Sequence, residues 1–560
     1  MRILLLVTAF NGLSQRVWCA LRDLGHDVGV HTAGEGPDIT AAVTAAAPDL
    51  ILCPYLAQRV PAEVWQHWPT VIIHPGPVGD RGPSSLDWAI TEGVACWGVT
   101  ALQAAEEMDA GPVWAKRTFA MPATAVRKSA LYAGPVADAA LECVLEVVEK
   151  AADPTFVPTP AEKLPVGVPG ARPRPAMRQV DRMIDWAGSV EQILRRVRAA
   201  DGAPGVLTEI AGLPVYAYDA HPSGIRKGRP GEVLLRREGA VLVAAGDGSV
   251  WLGHLRQATV NGEPGIKLPA ATVLGSLVHG VAHAAAKSGR APDAAFGYGQ
   301  IRYRRDRAAG WLHFDFYNGA MAVGHCRRLL SGLRHALEQD TRVVVLCSGT
   351  EVFSTGIHLN MIDNAPDPAV EGWANIRAIN EVCKEIINCT RQTVIAAYNG
   401  SAGAGGVMLG LGADVVAARD GIILNPHYDI GLFGSELHTY TLRARVGADR
   451  ARRLLSAKAP ISADQASRIG LVDDVGPRNP DSYLEWLATL AAEEADPALV
   501  RARSEAKQHR LATGLPIGVF EARELAEMSC DLFDDRSGFA AARQAFVSKT
   551  SKALPQLLAR

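Results

Sequence analysis

Apolar residues run along this chain in two alternating rhythms. Ile3 to Val7 is a continuous apolar run of strand length, Phe10-Asn11-Gly12 reads as the turn that ends it, and Ser14 to Leu24 carries apolar residues at helical spacing. Strand-like runs recur at Leu50 to Pro54 and Val71 to Ile73. From Met1 to about Ala152 this alternation predicts a parallel sheet flanked by helices, because parallel neighbours need a crossover between them. From about Pro154 to Pro175 repeated prolines fix φ and remove backbone donors, so that stretch reads as a linker. A helix over Val190 to Ala200 precedes β-type runs at Leu213 to Tyr218, Gly231 to Leu235, Ala240 to Ala244 and Ser249 to Leu252, which predict a small β-barrel. Residues 261–310 mix an apolar helical pattern with Gly289-Arg290-Ala291-Pro292 and a basic turn, and read as a connector. The α/β alternation then resumes, with a helix over Ala320 to Leu337 and strands at Arg342 to Cys347, Thr393 to Ala397 and Val415 to Ala418. The expected domains are 1–160, 177–260 and 311–560, with 261–310 between the last two.

Composition narrows the function classes. The 560 residues are 48% hydrophobic and 21% charged with a formal net charge of -2, which suits several globular cores. Lys and Arg are spread along the chain, so neither a nucleic-acid footprint nor a membrane-surface patch is present, and small-molecule chemistry is favoured. The apolar start is too short to span a membrane and lacks a cleavage site. Nine scattered cysteines without a C-x-x-C pair argue against a zinc ribbon or a disulfide framework, so no metal site is expected and a reducing cytoplasm fits best.

Two stretches carry candidate chemistry. In the first, His74 ends a strand before the Gly/Pro loop through Arg81 and Gly82, and a helix follows, with Ser84 and Asp87 as a capping box and Gly93 as the stop. Downstream lie Gly98-Val99-Thr100 and Met108-Asp109-Ala110-Gly111, where a carboxylate on a glycine turn can meet His74 and set its tautomer and charge. Spacing alone leaves a structural histidine and an ordinary turn as open readings. The run from His74 to Gly93, with Gly98-Val99-Thr100 and Asp109, resembles the 10-formyltetrahydrofolate-dependent formyltransferases. Ile184-Asp185-Trp186 and Gly202-Ala203-Pro204-Gly205 look like that family's C-terminal barrel. The resemblance implies a catalytic His74 and Asp109, folate contacts from Cys53, Pro54, Tyr55 and Leu56, and a cofactor contact from Arg81. The position of the family's Asn is Ile72, which cannot donate a hydrogen bond to a developing oxyanion.

In the second stretch, Phe353-Ser354-Thr355-Gly356-Ile357-His358 follows a strand, and Ser401 to Gly406 follows another and opens an apolar helix. Glycines there let main-chain N–H groups face a ligand at a helix start, although packing alone also explains such a turn. The pair resembles the crotonase (enoyl-CoA hydratase/isomerase) superfamily. It implies oxyanion-binding amides at Ile357 and Gly405, coenzyme A contacts from Ser354, Thr355 and Gly356, and phosphate contacts from Arg327 and Arg328, for which a solvated helix face is the alternative. Met408 and His427 stand where a hydratase carries its two catalytic carboxylates. Water activation is therefore not expected, and Tyr428 and Glu436 become the candidate proton-handling residues, with His427, His438 and Tyr440 behind them.

The fusion of both stretches resembles the HypX (HoxX) family of hydrogenase maturation factors. The fold implied is a multidomain α/β chain: a Rossmann-like formyltransferase domain, a small OB-like β-barrel and a crotonase-like spiral domain. The implied activity is formyl transfer from 10-formyltetrahydrofolate to coenzyme A and decarbonylation of formyl-CoA, making CO for the iron centre of [NiFe]-hydrogenase, with other maturation proteins as partners. Formyl transfer to an amine with hydrolysis or acyl transfer of a CoA ester, and a non-catalytic one-carbon scaffold, remain the competing readings.

Overall fold

Ile3 to Val7 lie in the strand Arg2–Val7, which is hydrogen-bonded on both sides, to Asp27–Thr32 and Leu50–Tyr55, each parallel to it. All five apolar residues are at most 4% exposed. Helices cover both faces, which is why the run is continuous rather than alternating. Thr70–His74 extends the parallel set, but Cys96–Gln103 and Val113–Ala120 close the sheet antiparallel. The stretch 104–112 between these two is too short for a crossover, so only a hairpin return is open to it. The computed structural model describes the chain except at positions 35, 124–125, 166, 261, 285–296 and 550–560.

The linker contains a short turn of helix, Ala161–Lys163, and touches the first domain through the Val113–Thr159 bridge at the sheet and the Arg81–Pro173 bridge at the loop after His74. Beyond it, Val206–Ile210, Leu213–Ser223, Ser249–Gln257, Ala240–Ala244 and Val233–Arg237 form an antiparallel sheet in that order. Ser249–Gln257 pairs with Ala240–Ala244 over its first half and with Lys267–Pro269 over its second, the corner-turning pattern of a partly open barrel. The expected connector is thus not a spacer. Lys267–Pro269 belongs to the second sheet and Ile301–Asp306 is the edge strand of the third, because short pairings at the margins need no long apolar run. The Gly289 to Pro292 turn lies outside the described residues.

The third sheet runs Ile301–Asp306, Ala309–Phe314, Val343–Ser348, Thr393–Tyr398, Val415–Arg419, Asp474–Gly476, parallel after its first pair. A smaller layer of Val352–Ser354, Ser401–Gly403, Ile423–Asn425 and Ile461–Ser462 stacks beside it. The expected helix from Ala320 begins only at Val323, since Ala320–Met321 pairs instead with Gly356–Ile357. The first and third sheets share packing: Ile423 joins the core of the first, Asn425 Nδ2 donates to Gln15 Oε1 at 3.0 Å, and Asp23 accepts from Gln465 and Arg468. No helix among the described residues is long and apolar enough to cross a membrane. No group of three or more His, Cys, Asp or Glu side chains among them is placed to hold a metal.

Candidate active sites

His74 stands where the chain leaves the first sheet, the strand end at which open α/β sheets place ligands. Its imidazole, 4% exposed, lies between two carboxyl groups: Nε2 is 2.9 Å from Asp80 Oδ2, and Nδ1 is 3.5 Å from Asp109 Oδ1. Asp109 comes from the hairpin between the two antiparallel strands, has φ 54°, and accepts the Gly82 N–H at 3.1 Å. The loop is tied down by Thr100 Oγ1 donating to Gly76 O, and by Ser85 Oγ and Trp97 Nε1 donating to Pro75 O. Gly76 has to be glycine, because a Cβ there would stand 2.3 Å from Asp80 Oδ2 and 2.5 Å from His74 Nε2. The expected capping box is absent: Ser84 Oγ accepts from Met177 N, and Asp87 pairs with Lys128 and Arg182. Gly93 ends the helix in the left-handed conformation, as its sequence position predicts.

Asp80 is the partner that the sequence concealed, for in a Gly-Asp-Arg-Gly loop a carboxylate reads as turn chemistry. A buried carboxylate on one ring nitrogen fixes tautomer and orientation, leaving the other nitrogen to exchange protons. On the formyl transfer that the resemblance implies, Asp80→Asn is therefore expected to slow turnover at least about tenfold and to move its pH profile. Tetrahydrofolate release measured across pH checks this, and an unmoved profile would reduce Asp80 to loop packing.

A cavity lined by Leu56, Ile72, Leu102, Gln103, Met108 and Asp109 opens beside this pair. Of the four expected pterin contacts, Leu56 reaches it. Cys53 and Pro54 are buried, with burial pushing the Cys53 thiol up, and Tyr55 is exposed, edge-on to Tyr132, its carbonyl already accepting Thr8 N–H. Arg81 pairs with Glu107, which lies on the cavity wall. Gln58, whose Oε1 accepts from Thr8 Oγ1 at 2.7 Å, carries an amide on this wall where Ile72 has none.

The second site forms where two loops meet backbone to backbone. The pairing of Ala320–Met321 with Gly356–Ile357 brings Gly356, at φ 79°, against Gly405: a Cβ on Gly356 would lie 3.3 Å from the Gly405 Cα and N. Thr355, Ile357, Gly405, Tyr428 and Glu436 line one cleft. Glu436 is 2% exposed, and it and Leu437 hold φ of 62° and 57°, a strained pair that its surroundings must enforce. Glu436 N donates to Asn380 Oδ1 at 2.8 Å, and its Oε2 accepts from Tyr428 Oη at 2.7 Å and Ser435 N at 3.2 Å. Gly405 and Gly434 leave room for these side chains, since added Cβ atoms would stand 2.2 Å from Glu436 Oε1 and from the Tyr428 ring.

Tyr428 Oη also lies 2.9 Å from Ser435 O, and its single proton cannot serve both acceptors. With Glu436 ionised the phenol donates to the carboxylate. With Glu436 protonated, the acid donates to the phenol oxygen and the phenol turns to Ser435 O. Burial pushes the Glu436 carboxyl up, opposed by the Tyr428 and Ser435 hydrogen bonds, while burial and then the Glu436 charge push the Tyr428 phenol well up. The pair can thus take up and return a proton through the carboxyl group while the phenol stays neutral.

Met408 is buried in the core, and Asp429, the other carboxyl on the cleft lining, is exposed and paired with Lys458. His427 is not among the lining residues, and burial pulls it down to about 4. His438 stands behind Tyr428, ring centroids 5.1 Å apart, and Tyr440 packs against Phe520.

Comparison with known proteins follows this division of the chain. Residues 6–142 match the Formyl transferase family, 176–263 the Formyl transferase, C-terminal domain family, and 325–546 the Enoyl-CoA hydratase/isomerase family. The hydrogenase maturation factor HoxX of Bradyrhizobium diazoefficiens is 40% identical over 560 residues, covering 99% of this chain and 95% of that protein. The chain belongs to the HypX/HoxX family of hydrogenase maturation factors. The crystal structure of HypX from Aquifex aeolicus in complex with tetrahydrofolic acid is 39% identical, with a TM-score of 0.93, and the match covers 100% of this chain and 98% of that one. Methionyl-tRNA formyltransferase of Sorangium cellulosum is 31% identical over 174 residues, 30% of this chain and 53% of that protein.

Within this HypX/HoxX chain four of the expected coenzyme A contacts, Ser354, Gly356, Arg327 and Arg328, are not among the residues lining the cleft. Arg327 is exposed on the helix Val323–Glu338 and Arg328 donates to Gln300; neither lines the cleft. Ser354 is buried, its hydroxyl donating to Gly319 O and accepting Gly356 N–H, so it shapes the turn, whereas Thr355 faces the cleft. Sequence reading missed Asn380 and Glu524. Both are buried polar residues on helices distant in sequence from Glu436, and a polar residue in an otherwise apolar helical stripe is the signal that marks them.

Proposed function

We propose that this HypX/HoxX chain moves a formyl group from 10-formyltetrahydrofolate to the thiol of coenzyme A and then breaks formyl-CoA into CO and coenzyme A. The CO is supplied to the iron centre of [NiFe]-hydrogenase during maturation, with other maturation proteins as partners. In the first step the sulfur attacks the formyl carbon, the C–N10 bond breaks and N10 takes a proton. His74 manages that proton at Nδ1, which faces Asp109, Asp80 orients the ring through Nε2, and Leu56, Ile72 and Met108 line the folate pocket. In the second step the amides of Ile357 and Gly405 hold the carbonyl oxygen and Glu436 removes the formyl proton. The C–H electron pair stays on carbon as CO forms, the C–S pair leaves on sulfur, and the thiolate is reprotonated through Tyr428 and Glu436.

The observation that carries this reading is the buried Glu436–Tyr428 pair against Gly405, while the other carboxyl on the described cleft lining, Asp429, is exposed and paired with Lys458. Decarbonylation needs a base and an acid but no water. Purified protein given 10-formyltetrahydrofolate carrying a labelled formyl carbon, together with coenzyme A, should release tetrahydrofolate and labelled CO in equal amounts. Tetrahydrofolate without CO would overturn the decarbonylation step, and no tetrahydrofolate would overturn both steps.

A further inference from the structure

Glu524 lies on the helix Ile517–Phe533 near the end of the chain and is fully buried. Its carboxylate accepts Leu437 N–H at 2.9 Å through Oε2, and Thr439 N–H at 2.8 Å and the Thr439 hydroxyl at 2.6 Å through Oε1. These donors flank the residues that put Glu436 in the cleft: Leu437 follows it in the left-handed region, and Thr439 lies in the first turn of the helix His438–Val446. Asn380 holds the turn from the other side by accepting Glu436 N–H. Without such anchors two successive non-glycine residues at positive φ would relax, which would withdraw Glu436 from Tyr428 and Gly405.

We propose that Glu524 is a positioning residue of the second site: it holds the Glu436–Leu437 turn by its main chain, and because its charge and that of Glu436 oppose each other the two carboxyl groups titrate as one coupled pair. The proposal rests on the reading of Glu436 as the base. Two buried carboxyl groups beside one turn repel each other when both are charged, so ionising one raises the cost of ionising the other. The hydrogen bonds to Glu524 all come from donors that favour its ionised form, whereas Tyr428 can answer either form of Glu436 by changing its own partner. Glu524 is pushed up to about 7, chiefly by burial, with the Glu436 charge contributing in the same direction. The other ionisable groups around it are His438, whose Nδ1 is 3.4 Å from Oε1, Tyr428, Cys383 and the adjacent Arg523, while Lys384 from the neighbouring helix is taken up by Glu381 and Glu521. A cavity of about 1180 Å³ that includes Tyr428, His438, Thr439 and Arg523 in its walls gives solvent a route to the back of this cluster.

A simple helix cap would share the hydrogen bonds but not the charge coupling, and this difference is testable. In Glu524→Gln, removal of the coupled carboxyl group should move the acid limb of CO release from formyl-CoA to lower pH. The rate should also fall about tenfold as the turn loosens, with tetrahydrofolate release by the first site unchanged. Glu524→Asp, which restores the charge on a shorter arm, should return the limb toward its original position even where the rate stays low, and serves if the Gln variant is unstable. A lowered rate with an unmoved limb in Glu524→Gln would overturn the proposal. Infrared titration of the buried carboxyl band assigned to Glu436, by its loss in Glu436→Gln, reads the coupling without turnover: an unchanged titration in Glu524→Gln overturns it. If the wild-type protein makes no CO yet the band still shifts, the functional reading has failed while the charge coupling stands.

Discussion

His74→Gln is expected to lower tetrahydrofolate release in the presence of coenzyme A by about 10²–10⁴-fold, the usual cost of removing a proton-transfer group. The Gln variant is preferred because Asp80 Oδ2 lies 2.9 Å from the ring and is almost wholly enclosed, so truncation leaves a carboxylate facing an empty space. His74→Ala should show the same kinetic loss together with a stability loss on the order of 3 kcal/mol, the cost of leaving a buried carboxyl group without its hydrogen-bond partner. A side-chain amide keeps a donor for Asp80 but cannot shuttle a proton at neutral pH. Denaturant unfolding of both variants beside the transfer assay separates the two effects. Near-normal transfer in the Gln variant would make His74 a structural ligand of Asp80 and leave the proton to Asp109.

Glu436→Gln is expected to suppress CO release from formyl-CoA by a similar factor, about 10²–10⁴, with formyl-CoA accumulating and folate turnover intact. Gln is isosteric, so the turn anchored by Asn380 and Glu524 should persist and coenzyme A should still bind. Tyr428→Phe should do less damage. It removes one of the two hydrogen bonds to Oε2 that favour the carboxylate, leaving Ser435 N–H, so Glu436 should ionise at still higher pH. The sign follows directly: burial raises Glu436 above its ordinary value, the base works only when ionised, and CO release must fall as the pH drops through that raised value. In Tyr428→Phe the fall should begin at higher pH. Stopped-assay CO yields across pH check this, and unaltered yields from both variants would transfer suspicion to His438, the histidine packed behind Tyr428.

The parts of the fold that could be read in advance are those in which burial acts along the chain. Ile3 to Val7 and Val343 to Leu346 are covered on both faces of their sheets, and nothing but a continuous apolar run satisfies that environment. The chemistry was legible where backbone geometry dictates residue type. Gly356 and Gly405 are glycines because another loop or a carboxylate occupies the space of their missing Cβ atoms. His74 and Asp109 stood out locally only as a strand-end histidine and a glycine-turn carboxylate, and it was the resemblance to the formyltransferases that supplied their expected roles. The hairpin strands Cys96–Gln103 and Val113–Ala120 were not legible, because apolar periodicity marks no strand direction.

Residue order thus settles which segments become strands and helices and which of them carry chemistry, since propensity, turn geometry and burial act over a few positions. Which side chains meet is settled by packing between segments far apart in sequence. Arg328 donates to Gln300, 28 positions earlier, Ser354 gives its hydroxyl to the turn that contains it, and Asp80 closes on His74 only because Gly76 lets the loop fold back. Glu436 reaches its cleft held by Asn380, 56 positions earlier, and beside a turn capped by Glu524. A hydrogen bond is worth far more in a buried setting than along an exposed chain, and only the folded molecule creates that setting.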